Sequence, residues 1–173
     1  MANVTGEAAE DVSSYMTAVW NNFDNGSKSL EYYADVMTAL GAATASSTDE
    51  IATGLEKFAG IAETGGLSYE YATSALATLV AETRQSPETV GTALKTIFSR
   101  LQGLKLGETL DDGTNLNKYS EALKTVGVDI KNSNGSLKDM DLILEELASK
   151  WNLIGKDQQM ALAQTVGGIR QYT

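Results

Sequence analysis

Apolar residues recur every three or four positions along almost the whole chain, and this spacing is the strongest constraint on its fold. The stretch at 7–24 carries one such stripe, and the stretch at 29–40 repeats it. This spacing places apolar side chains on one face of an α-helix. The pattern predicts an all-α fold of about seven or eight short helices, stacked as helical hairpins, without significant sheet.

Three serines are predicted to start helices. Ser47 and Glu50 have the spacing of a capping box, in which each side chain bonds the other residue's backbone N–H. Ser68 opens a helix after a pair of glycines. Ser86 precedes Pro87, the only proline in the chain, and proline suits the first position of a helix because its missing N–H is no loss there.

The helical period also predicts which side chains are buried. The predicted stripes are Leu30, Tyr33, Ala34, Met37 and Leu40; Ile51, Leu55, Phe58 and Ala62; Ala72, Leu76, Leu79 and Val80; Val90, Leu94, Ile97 and Leu101, with Ala93 and Phe98 at the edges; Met140, Ile143, Leu144, Leu147 and Trp151; and Met160, Ala163 and Val166. Lys95 and Arg100 are interpreted as solvated flanks. Leu142 lies off its stripe, which leaves open a contact with a neighbouring turn or with a partner chain.

Composition divides the chain into an acidic N-terminal helical part at 1–102, a loop at 103–117 rich in Gly, Asp, Thr and Asn, and a C-terminal helical part at 118–173. We expect these parts to form one compact unit. The segment at 128–135 fits a turn better than a hairpin, because little follows that could act as a second strand. Two glycines weaken the last helix, so residues 167–173 are expected to fray or to lean on a neighbouring molecule.

The net charge of −10 argues against two classes of partner. Residues 1–86 hold 12 acids and 3 bases, and residues 87–173 hold 11 acids and 10 bases. An acidic surface repels phosphates, so direct binding to nucleic acid or to an anionic membrane is not expected. No apolar run reaches the ~20 residues that a transmembrane helix needs, and the N-terminus does not resemble a signal peptide.

The chain contains no histidine and no cysteine. Histidine is the usual general base near neutral pH and the commonest metal ligand, so the triads and zinc sites that need these residues are excluded. We predict no catalytic residue, no cofactor-binding residue, no metal site, no cofactor and no enzymatic activity.

Carboxylates are the remaining candidates for chemistry. Glu63, Glu70 and Glu82 lie beside apolar segments, and Asp111 and Asp112 lie in the predicted loop. Glycosidic cleavage needs two such groups across a cleft, but nothing in the pattern marks any of these as buried or paired. Solvated helix faces explain them better.

Two other short patterns do not fit a calcium site or a phosphate-binding loop. In the EF-hand template, the segment around Asn132–Gly135 would place Ile130 at the first ligand position, and isoleucine cannot bind calcium. The glycines at 103 and 107 follow a helix rather than a strand and lack a lysine–serine pair, so they do not form a phosphate-binding loop.

Several segments resemble phage tail tape-measure proteins. The most specific is SPETVGTALKTI at 86–97, and DEIATGLEK at 49–57 and the helix after Leu67-Ser68 resemble them too. Downstream, VGV at 126–128, LILEEL at 142–147 with Trp151, and VGGIRQY at 166–172 follow the same pattern. The resemblance covers roughly residues 30–173.

This resemblance implies a virion protein that is made in the bacterial host cytoplasm, occupies the tail lumen and helps set tail length. Such proteins assemble with tube, tip and chaperone proteins and with copies of themselves, and they leave the tail when DNA is ejected. The chain lacks sustained heptads and cannot itself be the ruler, so we expect a globular portion of a longer polypeptide. The alternatives are a carboxylate-only helical hydrolase or lyase and a generic helical protein-interaction module.

Overall fold

The computed structural model describes residues 9–102 and 117–168. Within these ranges the chain forms eight α-helices: α1 (Ala9–Phe23), α2 (Leu30–Ala43), α3 (Thr48–Thr64), α4 (Tyr69–Thr83), α5 (Pro87–Gln102), α6 (Asn117–Thr125), α7 (Met140–Trp151) and α8 (Lys156–Gly167). No strand occurs in the described ranges, where β pairing is limited to an isolated bridge between Lys131 and Leu137. The predicted all-α class and the number of helices are confirmed.

The predicted serines cap their helices. At the start of α3, Ser47 Oγ accepts the Glu50 N–H at 3.1 Å and Glu50 accepts the Ser47 N–H at 2.7 Å, which completes the capping box. Ser68 and Ser86 each accept the N–H three residues later, at 3.1 and 3.3 Å. Ser29 caps α2 in the same way, although it was not among the predicted caps. Each bond satisfies an N–H that has no partner inside its helix.

Replacing the cap of α5 should measurably destabilise the protein. Ser86→Ala removes the oxygen that accepts the Thr89 N–H, and we expect the free energy of unfolding to fall by about 1 kcal/mol in urea denaturation. Ser74→Ala is the control, because Ser74 is exposed in the middle of α4, where alanine is the better helix former. An equal loss in both variants would contradict the capping role of Ser86.

The chain consists of two compact units, Met1–Lys95 and Thr96–Thr173, which divide within α5. In the N-terminal unit, α3 contacts α1, α2 and α4, and α2 also contacts α1 and α4. In the C-terminal unit, α6 packs against α8. The predicted loop at 103–117 lies outside the described residues apart from Asn117, where α6 begins, so the predicted division at this loop stays a prediction.

The stripe predicted for α3 is confirmed: Ile51, Leu55, Phe58 and Ala62 are each at most 1% exposed. In α4, Leu76 and Val80 are buried as predicted, but Leu79 is 37% exposed and its prediction was wrong. The buried face of α4 also includes Thr73 and Ala77. At 100° per residue these two residues shift its centre away from Leu79.

A similar rotation occurs in α5. Phe98 was expected at the edge of the stripe but is 2% exposed, whereas Ile97 is only half-buried. Val90, Leu94 and Leu101 are buried as predicted.

The predicted burial of two other residues, Leu30 and Met160, was also wrong. Leu30 is 46% exposed because it is the first residue of α2, outside the turns that contain the buried Tyr33 and Met37. Met160 is 49% exposed, and α8 buries Leu162 instead. Residues 160–163 are all apolar, so the period could not select a face.

The segment after α6 forms the predicted turn, which is closed by the isolated β-bridge between Lys131 and Leu137. Lys138 N–H donates to Ile130 O at 3.0 Å, and Asn132 N–H donates to Ser136 O at 2.8 Å. Val128 and Ile130 just before the turn are buried. The expected fraying at 167–173 falls largely outside the described residues, and α8 ends at Gly167.

Candidate interaction site

Two glycines allow α3 and α5 to cross closely in the N-terminal unit. A Cβ added at Gly91 would overlap the carbonyl oxygen of Gly54 and would lie 3.0 Å from Lys57 Cβ. A Cβ added at Gly54 would lie 2.7 Å from Leu76 and 3.0 Å from Pro87 O. Neither position has room for a side chain, so the two helix backbones pack directly against each other.

The helical period does not predict this crossing, although the sequence contains a signal for it. Gly54 and Gly91 each lie inside a helical pattern rather than at its end, and an isolated glycine there weakens a helix unless packing requires it. Gly91 and Phe98 are seven residues apart, so they lie on the same side of the predicted stripe of α5.

A cluster of aromatic side chains joins α1, α2 and α4. Tyr69 donates its hydroxyl to Tyr33 O at 2.7 Å, and Tyr33 donates its own hydroxyl to Phe23 O at 2.9 Å. The Tyr33 and Tyr69 rings meet edge to face with centroids 4.8 Å apart, and Phe23 lies 5.4 Å from Tyr69. Burial raises the pKa of Tyr33 and of Tyr69, with nearby carboxylates adding to the effect, so both remain neutral donors.

An open pocket of about 260 Å³ lies beside this aromatic cluster. Glu63 and Glu70, two of the carboxylates considered in the sequence, line it together with Asp24 and Lys28. Glu82 is exposed and does not line the pocket. Asp111 and Asp112 lie outside the described residues.

The pocket carboxylates differ in their surroundings. Glu70 is half-buried and accepts the Tyr32 hydroxyl at 2.5 Å, while Lys28 Nζ lies 4.1 Å from the centre of the Tyr32 ring. Glu63 is exposed. A general acid needs a carboxyl group that is removed from water, and Glu63 does not meet that need. In the described part of the chain, no three acidic side chains come close enough to hold a metal ion.

In the C-terminal unit, Glu146 lies between two lysines. Lys138 Nζ and Lys150 Nζ each lie 2.7 Å from one of its carboxylate oxygens, and Lys150 also donates to Gly127 O. The hydrogen bonds from both lysines lower the pKa of Glu146 to about 2, and their charges add to this effect. The cluster links α7 to the segments on either side of the 128–138 turn.

This lowered pKa predicts an acid-sensitive contribution to stability. The contribution is fully present above the ordinary glutamate pKa of 4.5 and is lost as the pH falls towards 2. In urea denaturation the wild type should therefore exceed Glu146→Gln at neutral pH by a modest amount, because the cluster is partly exposed. The difference should shrink between pH 4.5 and 2.

Glu145→Gln is the matched control for this effect, since Glu145 is the neighbouring exposed glutamate. Its difference from the wild type should stay nearly constant over the same pH range. A Glu146→Gln difference that did not change with pH would contradict the assignment.

Arg100 is not the solvated flank that its position in the sequence indicated. Its Nη1 donates to Val166 O at 3.4 Å, and its guanidinium lies against Gly168, just past the end of α8. A cation at this end of a helix interacts favourably with the last carbonyls. Lys95 is exposed as predicted.

Several large apolar side chains remain in contact with water. In the C-terminal unit these are Leu142 at 50%, Leu153 at 83% and Met160 at 49% exposure. Trp20 and Leu30 are similarly exposed in the N-terminal unit. Leu142 is half exposed, so both of its predicted contacts, with a neighbouring turn or with a partner chain, stay predictions.

These features describe a helical protein of acidic composition, with several large apolar side chains exposed on its described surface. Residues 1–168 match the family of phage-related minor tail proteins, and the chain belongs to that family. It is therefore a phage tail protein, whose partners include other proteins of the tail. No solved structure matches the chain. None of its described helices combines the length and apolar character required to cross a membrane.

Proposed function

We propose that this chain is a globular segment of a tape-measure protein, the tail component that occupies the tail lumen and helps set tail length. The observation that carries the proposal is the crossing of α3 and α5. Gly54 lies in the segment at 49–57 and Gly91 in the segment at 86–97, which are two of the segments that resemble tape-measure proteins. Both residues of this backbone contact therefore lie in segments that resemble tape-measure proteins.

The charge of the N-terminal unit supports a place in the lumen. Residues 1–86 carry 12 acids and 3 bases, and no ion pair occurs among the described residues of this unit. Surface carboxylates that form no ion pair with a basic side chain repel the phosphates of DNA. A protein with this surface would not hold DNA that passes through the same tube.

The proposed role needs no catalysis. The candidate pocket offers Glu63 and Glu70, but a carboxylate-only hydrolase requires one carboxyl group shielded from water beside an ionised partner. Glu63 is exposed and the Glu70 carboxylate accepts the Tyr32 hydroxyl. Positioning and packing are the roles that the geometry supports best.

Removing this segment from the phage tests the proposal. We expect an in-frame deletion of residues 9–95, the described part of the N-terminal unit, to give short or missing tails in electron micrographs. Gly60→Ala in the same unit is the control and should give tails of normal length, because its added Cβ would meet only the end of the Asn22 side chain, at 3.2 Å. Tails of normal length and number in the deletion phage would contradict a tape-measure role.

Protease protection distinguishes this role from that of a generic interaction module on the outside of the tail. A protein inside the tube should resist protease in intact tails and should be absent from tails that have ejected their DNA. A chain that is digested in intact tails, and that remains after ejection, would favour the external module.

A further inference from the structure

The tripeptide Asn-Gly-Ser occurs twice, once in each compact unit. Residues 25–27 lie between α1 and α2, and residues 134–136 lie in the turn between α6 and α7. All six residues are exposed. At both places the asparagine Oδ1 accepts the serine backbone N–H at 3.0 Å and also accepts the serine hydroxyl.

We infer that both asparagines are sites of spontaneous deamidation and that Asn134 reacts faster than Asn25. In this reaction the backbone nitrogen of the following glycine loses its proton and attacks the asparagine Cγ, forming a new N–Cγ bond. The Cγ–Nδ2 bond breaks, and the side-chain nitrogen leaves as ammonia after taking up a proton. Water then opens the cyclic imide at either carbonyl, which gives aspartate or isoaspartate.

The two tripeptides are equally well arranged for the attack of the glycine nitrogen on the asparagine Cγ. Glycine has no side chain to obstruct its nitrogen, and both glycines have positive φ, +76° at Gly26 and +85° at Gly135. The two serine donors on Oδ1 point at the oxygen that becomes negative in the tetrahedral intermediate, as donors in an oxyanion hole do. The electrophile is therefore matched between the two sites.

The nucleophile differs between them. The Gly26 N–H donates to the Asp24 carboxylate at 2.9 Å, whereas the Gly135 N–H donates to the neutral Asn132 carbonyl at 2.9 Å. A carboxylate in contact disfavours a second negative charge, so the amide anion at Gly26 should be about tenfold rarer. Asp24 therefore protects Asn25, and Asn134 has no such protection.

The product has different consequences at the two sites. Isoaspartate at 134 adds a methylene to the main chain inside the turn that the Asn132–Ser136 and Lys138–Ile130 hydrogen bonds close. That turn adjoins the buried Ile130. At Asn25 the product adds a negative charge to a pocket already lined by three carboxylates.

The test is incubation of the intact chain at mildly alkaline pH, followed by peptide mapping that resolves asparagine, aspartate and isoaspartate. We expect Asn134 to convert about tenfold faster than Asn25. Asp24→Asn keeps a side-chain oxygen for Gly26 but removes the charge, and it should raise the rate at Asn25 towards that of Asn134. Ser136→Ala removes one donor from Oδ1 and should slow Asn134 alone.

Incubation in concentrated urea completes the test, because it removes the folded geometry. The two rates should then converge. Equal rates in the folded protein, faster conversion at Asn25, no response to Asp24→Asn, or a rate ratio unchanged by urea would each overturn the inference.

Discussion

Phe98→Ala is expected to lower the free energy of unfolding by about 3–5 kcal/mol, the range for removing a buried aromatic ring. Phe98 is 2% exposed, so truncation loses the transfer free energy of the ring and leaves a cavity. Ile97→Ala should cost only about 1–2 kcal/mol, because part of the Ile97 side chain already contacts water. The helical period alone predicts the opposite order, with Ile97 on the stripe and Phe98 at its edge.

The two tryptophans allow each unit to be followed separately. Trp151 lies in the C-terminal unit with Phe98, and Trp20 lies in the N-terminal unit. In a Trp20→Phe background, urea denaturation followed by Trp151 fluorescence should show a large decrease in the free energy of unfolding for Phe98→Ala. The decrease for Ile97→Ala should be small. Equal losses would place the buried face of α5 where the sequence pattern put it.

The parts of the fold that were predictable depend on local chemistry. A capping serine acts on an N–H three residues away, so Ser47, Ser68 and Ser86 could be recognised from their immediate neighbours. The stripe of α3 was also predictable, because neighbouring helices enclose α3 and bury its strongly apolar residues.

The errors arose where burial depends on another helix. Leu79 and Met160 have the right spacing, but the face that each helix buries is set by its neighbours. Glycine and threonine carry no weight in a hydrophobic pattern, yet Gly91 and Thr73 lie on buried faces. Residues of this kind move the centre of a face without changing the period.

The candidate site was harder to predict than the fold. The hydrogen bonds from Tyr69 to Tyr33 and from Tyr33 to Phe23 connect three helices, and nothing local in the sequence marks them. The pocket brings Glu63 and Glu70 together only because the end of α3 lies near the start of α4. The absence of histidine and cysteine did limit the chemistry from the start.

Gly91→Ala is expected to destabilise the N-terminal unit by about 2 kcal/mol, although alanine is normally the better residue inside a helix. Replacing a mid-helix glycine by alanine gains about 1 kcal/mol in helix propensity. Here the new methyl group would overlap the Gly54 carbonyl oxygen, which belongs to the backbone of α3 and cannot rotate away. The helices must separate along their crossing, and overpacking of this kind costs about 3 kcal/mol.

Gly60→Ala is the matched control for this substitution, because it makes the same chemical change within α3, one of the two crossing helices. Its methyl group would meet only Asn22 Oδ1 at 3.2 Å, the end of a partly exposed side chain, so the propensity gain of up to about 1 kcal/mol should dominate. Trp20 fluorescence in a Trp151→Phe background should therefore show opposite shifts of the urea midpoint for the two variants. Since the crossing also carries the proposed tape-measure role, stabilisation by Gly91→Ala would remove the main structural support for that proposal.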